Sequence, residues 1–253
     1  AFVTILLLVL KGTLLLLVAA ACMLVLPKRA YALRHLVWAT SLGALLVLPL
    51  FVVLPGPRLT VPVASPLVAA AQLSASALPL PSARDGAALF GVPVVPAALP
   101  LVAAWAAVAA AILLWLLIGR IALGRLLRRA ERLRDESGLE RLRGAPWLHE
   151  VTRPVALYRS DAVSMPMTWG MLQSVIVLPA EAASWSEERR RVVLLHELAH
   201  VRRRDGATQL MASVACALWW FHPLAWYAAR RMRVEREHAC DDLFGLELVQ
   251  PGV

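Results

Sequence analysis

Long apolar runs alternate with arginine-rich stretches through the first half of this chain, and short β-type runs lead into helical ones in the second. Residues Phe2 to Leu26 form an apolar run interrupted only by Lys11, long enough to cross a hydrocarbon layer about 30 Å thick. A second run extends from about Leu36 to Leu54 and a third from about Ala97 to Ile118, so three spans are expected at 2–26, 36–54 and 97–118. Beyond the third, Leu123, Leu126, Leu127, Ala130 and Leu133 keep helical spacing, while Arg120, Arg125, Arg128, Arg129, Arg132 and Arg134 fill the other faces. That pattern predicts a basic amphipathic stalk continuing the third helix. Residues 55–96, rich in Ala, Pro, Leu and Ser, read as an irregular connecting loop. From Pro154 onward PVALYRS, SMPMTWG and SVIVLPA are β-branched or alternating stretches separated by turn residues, which predicts a small sheet. The helical period returns after Ser184, where Ser184 and Glu187 have capping-box spacing and Val192 to Leu195 supply a buried face. A further apolar run, 207–229, leads directly into RMRVEREHACDD.

Composition turns this pattern into a membrane protein. With 60% hydrophobic and 17% charged residues, the chain lies far from the mix of a soluble domain. The formal charge of +9 sits in arginines beside the apolar runs, where it reads as topology signal and anionic-lipid contact; no nucleic-acid motif accompanies it, so no direct nucleic-acid partner is expected. Lys28, Arg29, Arg34 and His35 make a basic turn that the positive-inside rule assigns to the cytoplasm. The N-terminus is then outside, the 55–96 loop is external, and residues 119–253 form a cytoplasmic domain after a membrane region of 1–118. Pro27, Lys28 and Arg29 follow the first run in place of a small-residue cleavage site, which speaks against a cleaved secretory signal. Cys22, Cys216 and Cys240 are an odd, scattered set and are expected to be reduced thiols.

The chemistry lies in HELAH. His196 and His200 are four apart on a predicted helix, so both imidazoles leave one face a turn apart and can close on one metal ion. Glu197 points about 100° round from His196, placed to hold and deprotonate a water without being a ligand. A catalytic zinc takes three protein ligands and keeps one open position. The candidates for the third are Glu235, Glu237, His238, Asp241 and Asp242, on one predicted helix. Glu237 and Asp241 share a face at i,i+4, so one can bind the ion while the other hydrogen-bonds a ligand histidine, and Asp205 is a second candidate for that supporting role. If the 207–229 run crossed the bilayer, Glu235 and Glu237 would emerge about 30 Å from His196. The run must be buried against the histidine helix, lie in the interface, or dip in and return at His222-Pro223. A β unit just before such a helix can offer an edge to an extended substrate; Met165, Pro166, Met167, Thr168, Trp169 and Gly170 are the expected rim.

HELAHVRRRD, the FHP segment, RMRVEREHACDD, MPMTWGMLQSVIVLP and the RHLVW entering the second span together resemble the BlaR/MecR-type membrane zinc peptidases, in order and spacing and over essentially the whole chain. The resemblance implies a membrane α+β fold: three transmembrane helices and a cytoplasmic gluzincin-like zinc metallopeptidase domain with a small β-sheet and an HExxH helix. It implies one zinc ion on His196, His200 and Glu237, with Glu197 as general base. It also implies a multi-pass protein of the bacterial inner membrane that cleaves a cytoplasmic protein, such as a transcriptional repressor, in response to an outside signal. The β-lactam sensors of that family continue past the stretch matching Val253 into another span and an external penicillin-binding domain, so β-lactam sensing is not carried over. Two other readings compete: a non-catalytic transducer with a structural zinc, and a site-2-type intramembrane protease. Arg189 to Arg191 and Arg202 to Arg204 make the last one costly, at ~2.5 kcal/mol or more per arginine near the bilayer centre.

Overall fold

The computed structural model describes residues 2–53, 98–133, 151, 154–170 and 173–248. The 55–96 loop, Arg134 and the 134–150 connection lie outside these residues. The protein is mostly helical with one small mixed sheet.

Helix α1 (Phe2–Val25) and helix α4 (Ala98–Arg129) are the two helices among the described residues that are long and apolar enough to cross a membrane. The second expected span is different in kind. It begins earlier, at Tyr31, and breaks at Pro49 into α2 (Tyr31–Val47) and the short α3 (Leu50–Val53), as expected where a ring replaces a backbone donor. Arg34, His35, Trp38, Ala39, Leu42 and Leu45 of α2 are all buried.

The run 207–229 folds as a helical hairpin that reverses at His222-Pro223. Helix α6 (Asp205–Leu218) stops at a turn over 219–222, and α7 (Pro223–Leu248) returns, with proline at the first helical position. This hairpin packs beside α1 and α2. Its seam is built from small residues, Ala19, Ala39, Ala212, Ala215, Ala225, Ala228 and Ala229, closed by Leu16, Trp38, Leu42, Leu45, Trp219 and Met232. At the tip, Trp219 Nε1 donates to the Leu45 carbonyl at 3.1 Å, and Thr13 Oγ1 lies 2.9 Å from His222 Nε2. Gly12 makes this approach possible, since a Cβ there would stand 2.9 Å from the Trp219 ring.

The sheet has the order β1-β2-β4-β3, from β1 (Glu131–Leu133), β2 (Val155–Ser160), β3 (Met167–Trp169) and β4 (Ser174–Pro179); β2 and β4 are parallel and the other pairs antiparallel. The expected stalk therefore ends at Arg129. Its continuation leaves the helix because the β2 edge gives its backbone partners: Leu133 pairs with Leu157 and packs on the sheet core, and Arg159 binds Glu131 at 2.7 Å. β4 is buried throughout, and Leu157, Ile176 and Leu178 pack with Ala182 against Leu194, Leu195 and Leu198 of α5 (Glu187–Arg203).

The start of α5 corrects the expected capping box. A 3-10 turn occupies Ala180–Ser184, the Ser184 hydroxyl donates to the Glu181 carbonyl, and Ser186 is the residue that caps the helix by accepting from the Arg189 N–H. Ser184 is spent inside the turn, so the cap falls two residues later.

Candidate metal centre

Helix α5 carries His196, Glu197 and His200, and α7 crosses it with Glu237. The imidazoles of His196 and His200 lie with ring centroids 5.0 Å apart and planes at 83°. Their Nε2 atoms face one carboxylate oxygen, Glu237 Oε2, at 3.9 and 3.6 Å respectively. All three potential ligand atoms lie within 4.8 Å of one another. Ligands at ~2.05 Å in tetrahedral geometry stand about 3.4 Å apart, so the set needs only a small contraction to hold zinc. Two neutral nitrogens and a carboxylate are also the donor types this ion takes in hydrolytic sites.

Each donor has its other side occupied. The Nδ1 of His200 is 2.7 Å from Asp205 Oδ2, and that of His196 is 3.5 Å from Asp241 Oδ1. Both histidines thus present Nε2 to the site with a carboxylate behind them, the arrangement that orients metal-binding imidazoles. Glu237 Oε1 is held by Arg236 through Nε at 3.0 Å and Nη2 at 2.6 Å, leaving Oε2 for the site. The carboxyl of Glu237 is kept well below its usual range, mainly by the neighbouring His200 and then by Arg236. Burial lowers proton affinity at His200, but the hydrogen bonds to Asp205, Cys240 and Glu237 together outweigh it and raise it. A metal binding at Nε2 displaces that proton.

Asp205 reaches His200 because of one unusual residue. Arg204, at φ 57 and ψ 36, sits in the left-handed region, ends α5 and turns the chain at once into α6. Asp205 is thereby swung back under the helix it has just left, where it is 2% exposed. Cys240 of α7 completes this floor, its sulfur 3.3 Å from His200 Nδ1 and 3.7 Å from Asp205 Oδ2.

Glu197 is buried beside these three potential ligands, and its Oε2 accepts from Thr168 Oγ1 at 2.6 Å. Thr168 belongs to β3, the outermost strand on this side of the sheet. Met167 and Trp169 share that strand, Met165 and Pro166 precede it, and Gly170 ends it at φ +108, where a Cβ would overlap the Gln173 carbonyl oxygen. Two of the other third-ligand candidates face elsewhere. Glu235 is buried between Arg34 and Arg231, and His238 stacks on Tyr31 with ring centroids 5.1 Å apart. Arg236 and Cys240 carried no signal in the sequence as site residues; an arginine adjacent to a carboxylate reads as a solvated charge and a lone cysteine as core.

A family model described as BlaR1 peptidase M56 matches residues 3–244. The chain is similar to the regulatory protein BlaR1 of Bacillus licheniformis, with 34% identity over 87 residues, which is 34% of this chain and 14% of that protein. It is also similar to the methicillin resistance mecR1 proteins of Staphylococcus aureus and Staphylococcus epidermidis, with 27% identity over 88 residues, 34% of this chain and 15% of each relative.

Proposed function

We propose that this chain, which belongs to the BlaR1 peptidase M56 family, is a membrane-anchored zinc endopeptidase that cuts a cytoplasmic protein as a step in transmembrane signalling. The observation that carries the proposal is the convergence of His196, His200 and Glu237 beside Glu197, with Glu197 hydrogen-bonded to the sheet-edge strand. A single zinc ion on the first three residues would lower the pKa of a bound water and polarise a peptide carbonyl. Glu197, an acceptor when ionised, takes the proton of the attacking water and delivers it to the leaving amine. Thr168 holds that carboxylate in place, and Asp205 and Asp241 hold the imidazoles. An extended substrate pairs along Met165 to Gly170, which brings a scissile bond past Glu197.

A structural zinc is the weaker reading. Such sites are closed, whereas 46% of the Glu237 side chain and 30% of the His196 side chain are accessible here, which leaves one side of the centre open to a substrate. In the proposed topology α1, the α2–α3 segment and α4 cross the bacterial inner membrane, with the N-terminus outside and the metal centre on the cytoplasmic side. The natural target fitting that placement is a soluble cytoplasmic regulator, a transcriptional repressor by analogy with the family resemblance.

The test compares the purified protein with its Glu197→Gln variant. Both are incubated with the host's cytoplasmic extract and new protein termini are mapped. Glutamine keeps the side-chain shape but not the base, so zinc content should be unchanged and cleavage at least ~100-fold slower. Wild-type cleavage by zinc-loaded Glu197→Gln would overturn the hydrolytic role.

A further inference from the structure

Arg34 and His35 lie beside an apolar run and read from sequence as part of a basic, topology-setting turn, yet their exposures are 9% and 6%. The Arg34 guanidinium is bound by two partners. Its Nη1 donates to the Met23 carbonyl at 3.1 Å, one of the orphan acceptors in the last turn of α1, and its Nη2 donates to Glu235 Oε1 at 3.1 Å. Arg231 donates to the same oxygen at 2.7 Å, and Glu235 itself is 2% exposed.

Glu235 stands two positions before Glu237 on α7. Two residues on a helix turn through about 200°, so when Glu235 faces α2, Glu237 faces the opposite side, where α5 carries the histidines. The rotation of α7 that makes the buried ion pair is the rotation that aims Glu237 at His196 and His200. Replacing such a pair by apolar groups often costs little stability, while breaking it leaves an uncompensated buried charge; its effect here is on which orientation of α7 is populated. One turn away, the stacking of Tyr31 on His238 repeats the α2–α7 contact.

We propose that Arg34 is a positioning residue for the metal centre. Anchored on the end of α1, its guanidinium holds Glu235 and so fixes the rotation of α7 that brings Glu237 to the ion; a displacement of α1 against α2 is thereby transmitted to metal affinity. This rests on the zinc reading above.

The experiment measures the zinc dissociation constant by chelator competition in wild type, Arg34→Met, Arg34→Lys, Glu235→Gln and the double variant Arg34→Met/Glu235→Gln, with the thermal midpoint of each metal-free protein recorded in parallel. Weakening of about tenfold is expected for Arg34→Met and for Glu235→Gln, the lower end of the range for outer supports of metal ligands. Arg34→Lys should recover part of it, and the double variant should be no weaker than the worse single one, because both act through one contact. Glu235→Gln preserves side-chain shape and carries the test if Arg34→Met does not fold. A lowered thermal midpoint with unchanged zinc affinity, or losses that add in the double variant, would make the pair merely structural and overturn the proposal. Failure of the wild type to bind one zinc would instead remove the reading on which it rests.

Discussion

The hydroxyl of Thr168 reaches both the side chain and the backbone of Glu197, at 2.6 Å to Oε2 and 3.1 Å to the carbonyl oxygen. One small residue therefore ties the sheet-edge strand to the helix that carries the histidines, and it fixes the rotamer of the carboxylate in the process. Thr168→Val keeps the shape and removes the donor. We expect its cleavage rate to fall about tenfold, less than the ~100-fold or more for losing the base itself, with zinc content unchanged, and Thr168→Ser to stay near wild type. Equal rates for Thr168→Val and wild type in a cleavage assay at matched zinc content would show that Glu197 needs no such support.

The acidic residues of α7 divide by distance. Glu237 Oε2 lies 3.6 Å from His200 Nε2, whereas Asp241 Oδ1 faces the back of His196 at 3.5 Å. Glu237→Ala should lose most zinc on desalting, and Asp241→Ala should retain it with a constant weakened by at most about tenfold. Asp205→Ala should be the more damaging of the two outer changes, because its 2.7 Å contact is shorter and its carboxylate is buried. Metal analysis of the three variants checks the order, and similar zinc loss from Asp241→Ala and Glu237→Ala would leave the choice of third ligand open to Asp241.

What the sequence made legible was periodic or local. The i,i+4 histidines, the i,i+4 pair Glu237 and Asp241, the apolar length of α1 and α4, and the proline that turns the 207–229 run all express themselves within a few residues of one another. What stayed hidden depended on distant partners. Leu133 continues a helical period, but an unfilled strand edge at Leu157 gives it a β position. Arg34 resembles every other arginine beside an apolar run, and only the approach of Glu235, 201 positions away in the chain, makes it a buried residue. Ser184 has the spacing of a cap, and only the 3-10 turn that takes up its hydroxyl moves the cap to Ser186.

Close packing at the hairpin tip has a measurable cost when it is disturbed. Gly12 already has the Trp219 ring 2.9 Å and a Leu45 methyl 3.0 Å from where a Cβ would stand, and Trp219 is fixed by its hydrogen bond to Leu45. Gly12→Leu should destabilise the bundle by ~1–3 kcal/mol, the usual cost of overfilling a packed site, and lower the thermal midpoint in detergent. Gly124 has open space around it, so Gly124→Leu is the control expected to leave the midpoint unchanged. Equal midpoints for the Gly12 variant and wild type would mean that the α1 contact with Trp219 is not a feature of the folded protein.

The last prediction concerns which side of the membrane each end of α7 faces. Fifteen residues separate His222 at the hairpin tip from Glu237 at the metal centre, about 22 Å along a helix, which is short of the ~30 Å hydrocarbon thickness. The tip meets α1 halfway along, at Thr13, and the metal end lies near the C-terminal end of the same helix, where Arg34 bonds the Met23 carbonyl beside Glu235. In the proposed topology the hairpin enters beside α1 and α2 and returns to the side it came from, its backbone bonds satisfied within two helices and its turn covered by Trp219 and His222. Reporters inserted near residue 140 and after Val253 should accordingly both be cytoplasmic, and one within 60–90 should be external. An external reporter after Val253 with a cytoplasmic one at 140 would require α6 or α7 to cross, and Glu237 could not then meet His196 and His200 from the same side.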